Sequence, residues 1–191
     1  MFAFVFAQIC DVVVIILAVL GARSQKKTTT LFYGIIGNLI LTLEYTLLGA
    51  LTGTAIVFLN GTRCFVFFMF AKYNKKPSIF VLLIFEVLNV VLGIIAWQSL
   101  WSLLVIVGTV LYTYGLWQNN IVVLKVLTAI NTGLWAIYNF VVLAYVGVVR
   151  SVAECISAVS AVISIKKREK LQKMQKNEQN LIKNEDFDKI A

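Results

Sequence analysis

Histidine is absent from the 191 residues, and proline occurs once, at Pro77. Without histidine the chain lacks the side chain that titrates near neutral pH and the commonest metal ligand. Charge is scarce as well, at 14% of residues, where an ordinary soluble domain carries about 25%. The three cysteines, Cys10, Cys64 and Cys155, are odd in number, far apart and set in apolar runs. They read as small buried apolar residues, not as a disulfide framework or a metal site. No Gly-rich phosphate loop, metal-ligand motif or nucleophile–base pair occurs, so neither an enzyme nor a bound cofactor is expected. No basic stripe of the kind that tracks nucleic acid occurs either.

What remains is apolar: 60% of the residues, with mean hydropathy +0.89. A chain of this size cannot hide that excess in a water-soluble core, so the lipid bilayer is the expected solvent and partner. Long apolar runs predict seven helices, near 2–22, 31–50, 54–71, 79–96, 101–117, 123–143 and 148–165. Each approaches the roughly 20 residues that cross about 30 Å of hydrocarbon at 1.5 Å per residue. Val/Ile-rich stretches such as Val12–Leu20 also suit strands, but a barrel would alternate apolar and polar residues, and these runs do not. The expected fold class is an all-α polytopic membrane protein.

Basic residues set its direction. The 1–2 link carries Arg23, Lys26 and Lys27, the 3–4 link Lys72, Lys75 and Lys76, and the tail opens on Lys166-Lys167-Arg168. The 5–6 link, Gln118-Asn119-Asn120, is marked only by Lys125 just inside the next helix, and the links at 51–53, 97–100 and 144–147 have no Lys or Arg. Seven spans then place the N-terminus outside and the C-terminus inside. A secretory signal carries its positive charge before the apolar run; here the charge follows it, which favours a retained N-out anchor. Beyond Lys166 the chain is polar, with scattered Leu171, Met174, Leu181 and Ile182. A helix continuing for a turn or two and then fraying is expected, its Lys-rich start beside anionic headgroups.

Two stretches resemble each other. Asn38, Tyr45, Gly53 and Asn60 match Asn131, Tyr138, Gly147 and Glu154 at offsets of 93, 93, 94 and 94, and Gly21 matches Gly115 at 94. One residue inserted in the 144–147 link would reconcile the two values. Helices 1–3 then correspond to helices 5–7 with helix 4 returning the chain to the starting side, a 3+1+3 parallel repeat. The domains implied are a first triple-helix bundle (1–71), linker helix 4 (72–100), a second bundle (101–165) and a polar Lys-rich cytoplasmic tail (166–191).

The run Leu31-Phe32-Tyr33 through Asn38, Tyr45 and Leu48-Gly49-Ala50-Leu51-Thr52-Gly53 to Asn60-Gly61-Thr62-Arg63 resembles the bacterial inner-membrane proteins of the YgjV type. So do Trp101-Ser102-Leu103-Leu104, Gly108-Thr109, Leu116-Trp117-Gln118, Leu134-Trp135-Ala136-Ile137-Tyr138-Asn139 and Glu154. The likeness covers residues 5–165, and that family is distantly similar to the SWEET and PQ-loop carriers and to the PnuC-type vitamin transporters. It implies a multi-pass protein of the bacterial inner membrane with a transport role. Such carriers bend at prolines within their helices. Here bending would fall to glycines such as Gly34, Gly37, Gly108 and Gly133, which equally serve close packing.

Polar groups at depth mark candidate sites, because an ionisable side chain in hydrocarbon costs at least a few kcal/mol. Asp11 lies about ten residues into helix 1, Arg63 about nine beyond the outer end of helix 3, and Asn60 and Glu154 about six beyond the outer ends of helices 3 and 7, counted at the same rise. Asn38 and Asn131 sit at similar levels, and Glu86 and Asn89 share a face of helix 4. The functional reading is a midplane cavity in which Asn38, Asn60, Asn131 and Glu154 hydrogen-bond a solute and Tyr45, Trp135 and Tyr138 stack on it. The placing of paired polar residues on helices 3 and 7 and aromatics on 2 and 6 is also what the likeness to sugar carriers implies. Asp11 and Arg63 would couple charge, Arg63 neutralising Asp11, Glu154 or an anionic group of the ligand. The structural reading is that Arg63 and the asparagines only lock helices together, that Arg150 snorkels or pairs with Glu154, and that Trp97, Trp101 and Trp117 anchor span ends. Together these point to a transporter or facilitator for a small polar organic solute (sugar-, vitamin- or metabolite-like), by uniport or with proton coupling. The rival is a non-transporting receptor, sensor or assembly subunit with a sealed interior. A homo-oligomer is compatible with either.

Overall fold

Long runs of Leu, Ile, Val, Phe and Ala without internal proline leave the backbone no water to bond with in lipid, so it closes its hydrogen bonds within helices. The computed structural model describes the backbone of residues 2–47, 49, 51–97 and 99–188, and the side chains of these between 9 and 176 except at 52. Seven helices follow in order: α1 (Phe2–Arg23), α2 (Lys27–Leu47), α3 (Leu51–Lys72), α4 (Ile79–Ile95), α5 (Ser102–Trp117), α6 (Ile121–Val141) and α7 (Tyr145–Asp188). No strand occurs among the described residues. Stretches of α2, α3, α6 and α7 are long and apolar enough to cross a bilayer, while α4 and α5, at 17 and 16 residues, are shorter apolar helices. Leucines, isoleucines and phenylalanines stay exposed along outer faces, as at Phe80, Leu83, Ile84, Val87 and Ile94 of α4. A surface of that kind is stable against lipid and not against water.

Three features depart from expectation beyond shifts of one to three residues at the other helix ends. Helix α2 begins at Lys27 instead of 31, and the Thr30 amide and hydroxyl both bond back to the Lys26 carbonyl at this start. Helix α7 does not fray after a turn or two but stays helical to Asp188. Its Lys-, Glu- and Gln-rich extension lacks Gly and Pro and propagates from a helix already nucleated. The side chains of Leu181 and Ile182 lie outside the described residues. Finally, α2 and α6 have 21 residues each, and each is followed by a three-residue link. The inserted residue expected in the 144–147 link is therefore absent. Gly49 and Leu143 occupy the same place in the two links and both are left-handed, at φ 72° and 59°.

Helix α2 packs between α1 and α3, α6 packs between α5 and α7, and α1 meets α7. Helix α4 lies mainly on α5, and α3 touches α4 and α5 only sparsely. The packing contacts of the two sets run parallel. Gly21 faces Thr30 and Tyr33, and Gly115 faces Leu124 and Leu127. Val14 fills the space at Gly37, Asn131 that at Gly108, Tyr45 that at Gly53 and Asn139 that at Gly147. Of the four glycines considered as bends, Gly108 is a packing point, since a Cβ there would lie 2.8 Å from Asn131 Oδ1, whereas Gly133 has nothing within 4 Å.

The links divide the bundle into a basic end (23–27, 72–78, 118–120 and the start of the tail) and a bare end (47–51, 96–101, 141–145). The buried apolar core, Leu31, Cys64, Phe67, Phe85, Leu116 and Leu124, lies toward the basic end.

Candidate functional site

A cavity of about 340 Å³ lies between the α1–α3 and α5–α7 sets. Asn38, Tyr45, Asn60, Asn131, Trp135 and Glu154 all line it, brought together from α2, α3, α6 and α7. A second cavity of about 380 Å³ adjoins it among α3, α4 and α5, sharing Tyr45, Asn60, Thr109 and Trp135, and Tyr138 lines this one. Trp135 and Tyr138 stand edge to face, 5.9 Å between centroids, where the two spaces meet.

The polar residues differ in how much bonding capacity they have left. Asn38 donates from Nδ2 to the Gly34 carbonyl at 2.7 Å, four residues back in its own helix. Asn131 Oδ1 is buried without a partner. Asn60 and Glu154 make no hydrogen bond among the described residues. Unsatisfied polar groups at depth are costly, each by roughly 1–3 kcal/mol, unless a ligand or water meets them.

Arg63 also lines the first cavity and is 3% exposed. The expected pairing with Asp11 or Glu154 is not made: among the described residues no carboxylate lies within 4 Å of its guanidinium. Instead Nη1 donates to Thr113 Oγ1 at 2.6 Å, and the group lies 5.2 Å over the Tyr112 ring, while Nε has no partner. Thr113 Oγ1 accepts a second bond from Asn89 Nδ2 at 2.9 Å and donates to the Thr109 carbonyl, tying α3, α4 and α5. Asn89 thus serves packing, and Glu86, one turn away, lines neither cavity. Asp11 lines neither as well. It sits one turn beyond Val14 toward the bare end, in electrostatic reach of the buried Glu44.

The strongest feature at the basic end was not identified from the sequence. Lys125, expected as a charge marking the 5–6 link, is fully buried. Its Nζ donates to the Gly21 carbonyl at 2.7 Å and to Thr30 Oγ1 at 2.8 Å. Thr30 in turn donates to the same Gly21 carbonyl at 3.1 Å. Lys27 Nζ donates to the Gln118 carbonyl at 2.7 Å, Trp117 Nε1 to the Pro77 carbonyl at 2.9 Å, and Lys76 lies 4.1 Å over the Trp117 ring. Gly21 and Thr30 line the cavity, so the Lys125 bonds close its floor. A readable signal did exist: Lys125, Thr128, Thr132 and Asn139 form a polar stripe at helical spacing on a mostly apolar α6, and all four are buried.

Among the described residues no group of three or more His, Cys, Asp or Glu could hold a metal ion. The model of the Imp-YgjV family, bacterial inner membrane proteins, matches residues 5–170. No curated protein and no solved structure matches the chain.

Proposed function

The chain belongs to the Imp-YgjV family of bacterial inner membrane proteins, and from that premise we propose that it transports or facilitates passage of a small polar organic solute. The observation that carries this reading is the cavity between the two helix sets, where Asn60, Asn131 and Glu154 hold hydrogen-bonding capacity that the chain itself leaves unspent. The rival reading, a receptor, sensor or assembly subunit, calls for a sealed interior with Arg63 saturated by carboxylates, and neither condition fits these contacts.

The proposed architecture is a multi-pass, 3+1+3 SWEET-like parallel repeat with the basic end cytoplasmic. Support comes from a uniform offset of 94. The bounds of α2 and α6, the ends of α1 and α5, the starts of α3 and α7, and the left-handed Gly49 and Leu143 all differ by 94. The packing pairs Gly21·Thr30 and Gly115·Leu124, and Val14·Gly37 and Gly108·Asn131, follow the same offset. On this register Gly37 corresponds to Asn131 and Tyr45 to Asn139, one residue from the matches that identity alone suggests. Asn60 still corresponds to Glu154.

Alternating access needs each end to close in turn. Here the packed core and the bonds of Lys125, Lys27 and Trp117 tie the basic end, and the cavity rises from Gly21 and Thr30 to Tyr45, Gly53 and Arg150. On the proposed reading, this geometry corresponds to a carrier closed toward the cytoplasm. The test is uptake into proteoliposomes from a broad metabolite panel. Saturable uptake that the pair Asn60→Ala, Glu154→Gln reduces at least about tenfold, the loss of one or two polar contacts, is the expected result. Refutation would be no uptake of any solute together with a cavity that water-soluble probes cannot enter.

A further inference from the structure

We infer that the solute is a small organic anion, an apolar or aromatic body bearing one acidic group that the Arg63 guanidinium receives. This rests on the transport reading of the same cavity and adds the charge and polarity of what enters it.

The charges lining the cavity are Arg63, Arg150 and Glu154. Arg150 and Glu154 are four residues apart on one face of α7, and Arg150 and Lys125 both act electrostatically on Glu154. Two guanidinium groups against one carboxylate leave that lining one positive charge in excess. Lys125 has its bonds at the floor, to Gly21 and Thr30. Arg63 is left over. It has one hydroxyl partner, an aromatic face and an unpartnered Nε, at 3% exposure. Glu86 of α4 is in electrostatic reach of Arg63 but makes no ion pair with it. A buried guanidinium without a carboxylate is expensive unless an anion completes it, and its planar fork suits a carboxylate or phosphate oxygen pair.

The walls say what carries the charge. The lining from α1 is entirely apolar or small: Val14, Leu17, Ala18, Gly21 and Ala22. Polar groups come from α2, α3, α5, α6 and α7, with the rings of Tyr45, Tyr112 and Trp135 among them. A ring with its acid group at one edge fits both walls.

The test reads Trp135 in protein reconstituted into neutral phosphatidylcholine nanodiscs, isolated as the difference between the parent and Trp135→Phe. Acrylamide, iodide and caesium are the quenchers. With each ion's quenching normalised to that of free N-acetyltryptophanamide, iodide should quench Trp135 more strongly than caesium by roughly threefold, the effect of about one partly screened charge. Arg63→Gln should abolish that preference, Arg63→Lys should keep it, and Glu154→Gln should raise it. Benzoate should protect Trp135 from quenching where benzamide does not, with the difference lost in Arg63→Gln. If acrylamide cannot quench Trp135, the cavity is sealed and the transport reading fails. Easy quenching by acrylamide without an iodide preference overturns the anion inference alone. Equal protection by benzoate and benzamide, or protection by neither, also overturns it. Arg63→Lys guards against a misfolded Arg63→Gln, since it keeps the charge at the same site.

Discussion

Thr30→Val is the sharpest perturbation of the tie at the basic end. Thr30 Oγ1 is one of two acceptors for the buried Lys125 ammonium, at 2.8 Å, the other being the Gly21 carbonyl at 2.7 Å. Valine keeps the shape and removes the acceptor, leaving a fully buried cation with one partner in the closed state. In a state open at this end the ammonium meets water and does not need Thr30. The substitution therefore penalises closure by a hydrogen bond to a charged group, about 1.5–3 kcal/mol, or roughly 10- to 100-fold in the closed-to-open ratio. Lys125→Met gives no such clear sign, because it loses both bonds but also removes the cost of burying a charge. It serves instead as the second arm of a cycle. The readout is the rate at which a membrane-impermeant thiol reagent modifies Cys64, which lines the cavity, in inside-out vesicles, with Cys10 and Cys155 changed to serine. Thr30→Val should raise that rate by about tenfold or more, and should do nothing in a Lys125→Met background, because coupled residues are not additive. An unchanged Cys64 rate, or an equal effect of Thr30→Val in both backgrounds, would refute the tie between Lys125 and closure.

Three further outcomes follow from the packing. A Cβ at Gly93 would lie 2.5 Å from Ile106 Cγ1, so Gly93→Ala should wedge α4 from α5 and cost about 1–3 kcal/mol in detergent melting. Adding Ile106→Ala should recover part of that loss. Leu143 holds a left-handed backbone at φ 59° with its side chain exposed, so Leu143→Gly should raise stability by up to about 1 kcal/mol, whereas the same change at a helical leucine would lower it. Trp117→Phe removes the bond to the Pro77 carbonyl and weakens the Lys76 stacking contact. It should loosen the α3–α4 link by about 1–2 kcal/mol, read as faster trypsin cleavage after Lys75.

Much of the candidate site was legible because depth in a membrane helix is linear in residue number. Asn38, Asn60, Asn131 and Glu154 could be set at similar heights by counting, and they line one cavity. Direction around a helix axis is not fixed by counting alone. Asp11 has the same sequence credentials as Glu154, yet neither it nor Glu86 lines either cavity. Lys125 was misread because a charge near a span end has two readings, a headgroup contact or an inward bond. Only the neighbours Gly21 and Thr30, some hundred residues earlier, decide between them. In the proposed repeat, the register that the packing supports differs by one from the letter matches for a related reason. Identical letters, Asn38 with Asn131 and Tyr45 with Tyr138, drew the match, while the packing follows helix ends and link lengths.

The sequence by itself determined the solvent, the helical class and the shortlist of polar residues that lipid would not tolerate unpartnered. Hydropathy and backbone hydrogen bonding are local along the chain, and 1.5 Å per residue turns position into depth. Tertiary structure alone decided which of those residues face each other, that Arg63 takes a threonine and an aromatic ring in place of a carboxylate, and that Lys125 closes the cavity floor. Those outcomes depend on the rotation of each helix against its neighbours, and that is settled by small-residue contacts such as Gly108 with Asn131 and Gly21 with Thr30.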